Sequence, residues 1–228
     1  MNPPKLVIFD VDNTLTYTGE ADRDCFLGVM ASLFNFKNIE TDFSKYKHVV
    51  AVSIIAECFK TNIGRAPKKK EIEDQRDTFV AALMKKAEAE PEGFSEVPGA
   101  SAMMTELLKK EEYAVAIATG SFSGAAAFKL DFAKIPFDRA VIASSDECLT
   151  REELIDSAVT KAKTKYNMKN FSSIISVGDG LWDLKTAENI GLPFIGVGNK
   201  AILEKNGVEM WVPDFEDREG FFEVLGSI

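Results

Sequence analysis

Cysteine is scarce and poorly placed for cross-linking: Cys25, Cys58 and Cys148 are far apart, odd in number and include no CxxC pair. That pattern argues against a disulfide framework or a zinc site, and for buried thiols in a reducing cytoplasm. Histidine is scarcer still. His48 is the sole one, beside Val49 and Val50 in a stretch of helical periodicity, where a helix-surface or core-edge place is expected rather than catalysis. No apolar run approaches the roughly 20 residues of a membrane span, and no signal-peptide succession precedes the first apolar run. A cytoplasmic, non-membrane protein is expected. Positive charge is also short: the net formal charge of -9 repels nucleic acid and anionic membranes, so neither is expected as a partner. A phosphorylated substrate is repelled as well, so a site for one must carry its own cations. Internal repeats and low-complexity segments are lacking.

The 228 residues, 46% of them apolar, suffice for a sizeable core in one domain with an insertion or in two modest domains. The stretch "LVIFDVDNTLT" (Leu6 to Thr16) begins as a strand buried on both faces and then presents two acids. Extended chain points residues i and i+2 the same way, so Asp10 and Asp12 face one place and need a cation, hydrogen bonds or solvent between them. From residue 97 onward, apolar runs alternate with helical stretches. "YAVAIATG", "RAVIAS", "SIISVGDG" and "PFIGVG" read as strands; "PGASAMMTELLKK", "GAAAFKLDFA", "REELIDSAVTKAKTKY" and "LWDLKTAENIG" read as helices. This is the alternation of a doubly wound, Rossmann-like parallel sheet, an α/β fold whose ligands bind beyond the carboxyl ends of the strands. The site is therefore expected at Asp10, Thr119, Ser144 and Asp179.

Residues 17–96 break the alternation. "ADRDCFLGVMASLF", "DFSKYKHVVAVSIIAECFK" and "PKKKEIEDQRDTFVAALMKKAEAE" carry helical periodicity, the last with Pro67 at the expected first helical position. The expected organisation is an α/β core from residues 1–16 and 97–228, with an all-helical cap domain, 17–96, above the acids.

Three more features end strands at the same edge. "IATGS" offers the Thr119 hydroxyl and the Gly120 N–H at a helix start, an anion-binding arrangement. "SVGDGLWD" places Asp179 at a strand end and Asp183 at the start of the next helix. Together with Asp10 and Asp12, these acids call for a divalent cation with oxygen ligands, and Mg²⁺ suits them. "LTREELID" is a capping box, Thr150 with Glu153, that puts Arg151 at the first helical position, where it can pair with Asp10 and a phosphoryl group.

The order "DVDNT", "ATGS", a basic residue opening a helix, and "GDGLWD" resembles the four motifs of the haloacid dehalogenase superfamily, with the helical insertion where its first cap type lies. The branch resembled is that of phosphoglycolate phosphatase and β-phosphoglucomutase. The third motif departs from the family's usual Lys; Arg151 is taken to fill it, with Lys161, Lys163 and Lys165 as the alternatives. The resemblance implies a hydrolase, a Mg²⁺-dependent phosphatase for a small phosphorylated metabolite. Asp10 is the implied nucleophile, forming an aspartyl-phosphate, and Asp12 the acid and base. Asp10, Asp12 (through its main-chain carbonyl), Asp179 and Asp183 are the implied metal residues, Asp183 alternatively orienting Arg151. Thr119, Gly120 and Arg151 are the implied phosphate binders. A phosphomutase is the alternative within the family, and a receiver-like, non-catalytic phospho-acceptor the alternative outside it. Arg23, Lys60 and Arg65 are candidate cap contacts to substrate. Trp182 and Trp211 are expected to serve packing, and Gly196 and Gly198 to serve a turn.

Overall fold

Every residue of Leu6–Phe9 is buried, because helices cover both faces of the strand that contains them. The computed structural model describes residues 3–228. In chain order its elements are β1 (Lys5–Phe9), α1 (Gly19–Phe34), α2 (Ala51–Ile63), α3 (Lys69–Ala89), α4 (Ala100–Leu107), β2 (Tyr113–Ala118) and α5 (Ser123–Phe132). They continue with β3 (Ile142–Ala143), α6 (Arg151–Lys165), β4 (Ile174–Gly178), α7 (Leu181–Ile190), β5 (Phe194–Val197), α8 (Lys200–Lys205), β6 (Trp211–Val212) and α9 (Arg218–Gly226). The six strands form one all-parallel sheet in the order β3-β2-β1-β4-β5-β6. The order reverses at β1. The crevice at that point opens between the carboxyl ends of β1 and β4, where such sheets bind ligands.

Alternation along β1 divides the core. Val7 and Phe9 face a cluster with Met103, Met104 and Leu107 of α4 and Phe221 and Leu225 of α9. Leu6 and Ile8 face the opposite cluster, with Leu154, Ala158 and Ala162 of α6. Burying each such aliphatic or aromatic side chain contributes on the order of 1.5–3 kcal/mol.

Residues 17–96 hold α1, α2 and α3 with two short 3₁₀ turns. Their own apolar cluster centres on Phe26, Phe59, Phe79 and Leu83, with Phe26 and Phe79 edge to face at 5.7 Å. Phe122, just before α5, and Ala125 within it belong to that same cluster, so the helical insertion rests on the sheet layer through the start of α5. The outgoing and returning chains are paired: Val97 N–H donates to Leu15 at 2.8 Å and Tyr17 N–H to Ser95 at 2.8 Å.

Three sequence expectations are corrected. "RAVIAS" forms a 3₁₀ turn, Arg139–Val141, and only a two-residue strand, because Asp138 accepts from Ala140 N–H and starts a turn there. "DFSKYKHVVAVSIIAECFK" is helical only from Ala51; Asp42 caps a 3₁₀ turn over Phe43–Lys45, and His48 lies outside any helix, half-buried. Pro67 sits before the N-cap, Lys68, rather than at the first helical position. The expected helix face of α6 holds at Leu154, Ile155, Ala158 and Ala162, whereas Val159 is only half-buried. Gly191 closes α7 in the left-handed region, φ 70°. The cysteines are free thiols, Cys58 and Cys148 buried and Cys25 half-buried. Among the described residues no helix is long and apolar enough to cross a membrane.

Candidate active site

Asp10 follows β1 directly and Asp179 follows β4 directly, and these strands are neighbours, so two acids meet at the crevice. Asp183 joins them from the first turn of α7, where its carboxylate accepts from Gly180 N–H at 3.1 Å. One oxygen from each of Asp10, Asp179 and Asp183 lies within 4.8 Å of the others. Three carboxylates are a donor set of hard oxygens, which fits a hard divalent cation and not a soft one. Burial pushes Asp10 up to about 8, with Asp183 adding to the effect and Arg151 opposing it. Asp179 is raised to about 7 by burial and then by Asp10. Asp183 is raised to about 6 by burial, against the pull of Arg151. Negative charge concentrated here therefore carries a cost that a bound cation would offset.

Arg151 is the cation that the chain itself supplies. Thr150 accepts from Glu153 N–H at 3.1 Å and Glu153 accepts from Thr150 N–H at 3.2 Å, closing the capping box and fixing Arg151 as the first residue of α6. Its guanidinium stands 3.6 Å from Asp10 and 3.2 Å from Asp183, with Trp182 under it at 5.9 Å, and the residue as a whole is buried. Its Nε has no partner among the described residues, leaving a buried donor free beside the nucleophile candidate. Lys161 instead bonds the Ile142 carbonyl at 2.5 Å, and Lys165 pairs with Asp138. Geometry thus brings Arg151 to the acids and takes those two lysines elsewhere.

Thr119 and Gly120 line the same cavity. The Thr119 oxygen accepts from Ser121 N–H at 3.1 Å, which leaves its own proton to donate. Gly120 has a reason the sequence did not reveal: a Cβ there would stand 2.4 Å from the Val49 carbonyl oxygen. The insertion crosses at this point, and Ala51 N–H donates to the Gly120 carbonyl at 2.8 Å.

Asp12 lies at the same edge, but its carboxylate is turned away from the three-acid group. It is held by Lys129 of α5 at 2.7 and 2.8 Å and by Thr18 Oγ1 at 2.6 Å. A role for Asp12 at the metal is therefore confined to its main-chain carbonyl. Lys129 also pairs with Asp22 of α1, and Ser121 Oγ donates to Asp22 at 3.2 Å. Burial pushes Asp22 up to about 6, against Lys129. Burial opposes the Lys129 ammonium, yet Asp12 and Asp22 outweigh it and its pKa is raised. Sequence reading missed Lys129, Asp22 and Thr18. The signal for Lys129 was present: in "GAAAFKLDFA" it stands four residues after Ala125 on a buried face, and a lysine there must find partners. Thr14 adds a bond from Oγ1 to Asp179 at 3.1 Å.

The cavity above these groups measures about 740 Å³ and is bounded on the insertion side by Glu20, Arg23, Phe26, Asp42 and Phe43. Of the residues suggested as cap contacts, Arg23 lines it; Arg65 is paired with Glu71 at 2.6 Å, and neither Arg65 nor Lys60 is among the lining residues. Trp182 lines the rim, whereas Trp211 lies in β6 with Lys200 over its ring. Ser144 donates to Asp146 at 3.0 Å and supports a loop. Gly198 adopts φ 113°, consistent with a turn, whereas Gly196 lies within β5 and not in a turn.

Comparison with known proteins agrees with this architecture. The chain is similar over 96% of its length to a hydrolase from Pseudomonas syringae, of which 98% is covered, at TM-score 0.69 and 16% identity. It is similar to CbbY from Rhodobacter sphaeroides, solved in complex with phosphate, at TM-score 0.65 and 21% identity, covering 92% of this chain and 94% of that one. A hydrolase from Entamoeba histolytica matches at TM-score 0.68 and 17% identity, with 97% and 99% covered. A search of curated proteins by sequence gave no match. The sequence model of the haloacid dehalogenase-like hydrolases matches residues 4–191, a span running from the start of β1 through the glycine that closes α7 and holding Asp10, Arg151, Asp179 and Asp183. By that match the chain belongs to the haloacid dehalogenase-like hydrolase family.

Proposed function

We propose that this hydrolase is a phosphatase for a small phosphomonoester and works through an aspartyl-phosphate on Asp10. The observation that carries this reading is the convergence of Asp10, Asp179, Asp183 and Arg151 at one sheet edge, where Asp10 and Arg151 line the cavity. Asp10 attacks phosphorus, the bond from phosphorus to the leaving oxygen breaks, and Asp12 gives that oxygen its proton. In the second half Asp12 takes a proton from water, the water oxygen bonds to phosphorus, and Asp10 is regenerated as phosphate leaves. Thr119, the Gly120 N–H and Arg151 hold the phosphoryl oxygens, with Arg151 Nε available for one of them. Asp10, Asp179, Asp183 and the Asp12 main-chain carbonyl would hold Mg²⁺, which supplies positive charge against the phosphoryl oxygens.

Residues 17–96 act as the cap domain of this enzyme, over a core of residues 1–16 and 97–228, and supply the leaving-group side of the cavity. Glu20 and Asp42 bring two carboxylates to that side beyond Asp22, which is paired with Lys129, and the one guanidinium there, Arg23, is paired with Asp24 at 3.3 Å. Phe26 and Phe43 offer rings 5.9 Å apart. This lining favours an uncharged or cationic alcohol with an apolar face over a carboxylate-bearing one such as glycolate.

A panel of phosphomonoesters assayed with Mg²⁺, beside Asp10→Asn, tests the reading. Wild-type protein is expected to release phosphate and alcohol in equal amounts, which separates hydrolysis from transfer to a second hydroxyl. Asp10→Asn is expected to lose activity by about three orders of magnitude or more, since an amide is a poor nucleophile. Near-normal turnover by that variant would remove Asp10 from its role.

A further inference from the structure

Lys129 is 0% exposed, does not line the cavity and has no apolar reason to sit where it does. A buried ammonium persists only with partners, and here the partners are Asp12 beside the site and Asp22 on α1. Two contacts to Lys129, at 2.7 and 2.8 Å, engage both oxygens of the Asp12 carboxylate, and the Thr18 hydroxyl adds a third. Four acids crowd this sheet edge, yet only three of them form the metal-capable group. Asp12 is the one excluded, and Lys129 is what holds it apart.

We propose that Lys129 is a positioning residue for the reaction: it fixes the Asp12 carboxyl group outside the three-acid group, on the leaving-group side of the cavity, and ties that placement to α1 through Asp22. The proposal rests on the phosphatase reading above. A carboxyl group that swung into the acid cluster would become another oxygen ligand, whereas one held at the cavity wall stays within reach of the departing oxygen. Lys129 does not line the cavity, so its effect passes through its two partners there, Asp12 and Asp22. Asp22 completes the device: it accepts from both Lys129 and Ser121, so α1 of the insertion and the loop before α5 share one ion pair with the proton-transferring residue.

Two esters of nearly the same shape read this placement directly. Phenyl phosphate leaves as a weakly acidic phenol and needs the proton from Asp12; p-nitrophenyl phosphate leaves as a much more acidic phenol and needs it little. The quantity measured is kcat/KM with Mg²⁺, which reports the steps up to loss of the phenol. Lys129→Met is expected to lower kcat/KM at least tenfold more for phenyl phosphate than for p-nitrophenyl phosphate. Lys129→Arg keeps the charge and is expected to restore part of the loss, with the same skew in smaller measure. Asp22→Asn leaves the ammonium on Asp12 with a weaker anchor and is expected to show a slight skew of the same sign.

Circular dichroism establishes that each variant is folded. Should Lys129→Met not fold, Lys129→Arg carries the comparison, because its broader head cannot meet both Asp12 oxygens from the same place. Equal losses on the two esters in a folded Lys129 variant overturn the positioning role. An unskewed Asp22→Asn removes the link to α1. Wild-type protein that hydrolyses neither ester, nor any phosphomonoester of the wider panel, overturns the phosphatase reading and this proposal with it, and so is told apart from a failure of Lys129 alone.

Discussion

Asp10, Asp179 and Asp183 bind their protons more tightly folded than unfolded, at about 8, 7 and 6 against an ordinary 3.8. A carboxyl group raised in this way contributes stability that is fully present below the unfolded value and is lost as pH rises through the folded one. On these groups alone the metal-free protein is expected to lose stability from about pH 4 to pH 8. A divalent cation competes with those protons, so its stabilisation should run the other way. At pH 8, Mg²⁺ at a hundred times its Kd is expected to add about 2.7 kcal/mol, and at pH 5 close to nothing. Thermal unfolding with and without Mg²⁺ at the two pH values measures this, and an equal Tm shift at both would count against the three acids as the ion's ligands. These residues are legible in the sequence because each stands where an apolar run ends or a helix begins, positions with few structural reasons for an acid. Lys129 is harder to read, because its partners lie more than a hundred residues earlier, Asp12 before the long insertion and Asp22 in its first helix, and only the fold brings them to α5.

Among elements, α2 and the turn after β2 meet at a tight junction. Gly120→Ala would place a methyl group 2.4 Å from the Val49 carbonyl oxygen, and a backbone atom cannot swing aside as a flexible side chain does. The expected cost is about 1–3 kcal/mol, read as a lower Tm, with a fall in kcat as the start of α2 and the Gly120 N–H are displaced. Unchanged Tm and kcat would show that the contact relaxes freely. The elements themselves are legible to different degrees. β1, β2, β4 and β5 read clearly, since each is an apolar run closed by Gly, Thr or Asp. Short β3 does not, because Asp138 diverts "RAV" into a 3₁₀ turn before the strand begins. The stretch before α2 also misleads: Phe43, Tyr46 and Val50 repeat at helical spacing, yet Asp42 takes the Ser44 N–H and starts a short 3₁₀ turn, and Tyr46 is already extended.

At the scale of the whole molecule, a net charge of -9 opposes the approach of a doubly negative ester, and the attraction of Arg151 reaches only across the cavity floor. Raising ionic strength from about 0.01 to 0.1 M shortens the screening length from roughly 30 to 10 Å, which weakens the distant repulsion more than the close attraction. For a phosphomonoester with a neutral alcohol, kcat/KM is expected to rise by roughly twofold or more over that range. A fall instead would mean that local cations dominate the encounter.

The paired chains at Leu15 to Tyr17 and Ser95 to Val97 have a consequence for how the fold varies. They form the stem of a hairpin whose loop has grown into three helices. Closing a loop costs free energy only as the logarithm of its length, so lengthening or trimming what hangs from this stem disturbs β1 little. The helices can then change in size while the parallel sheet beneath stays as it is.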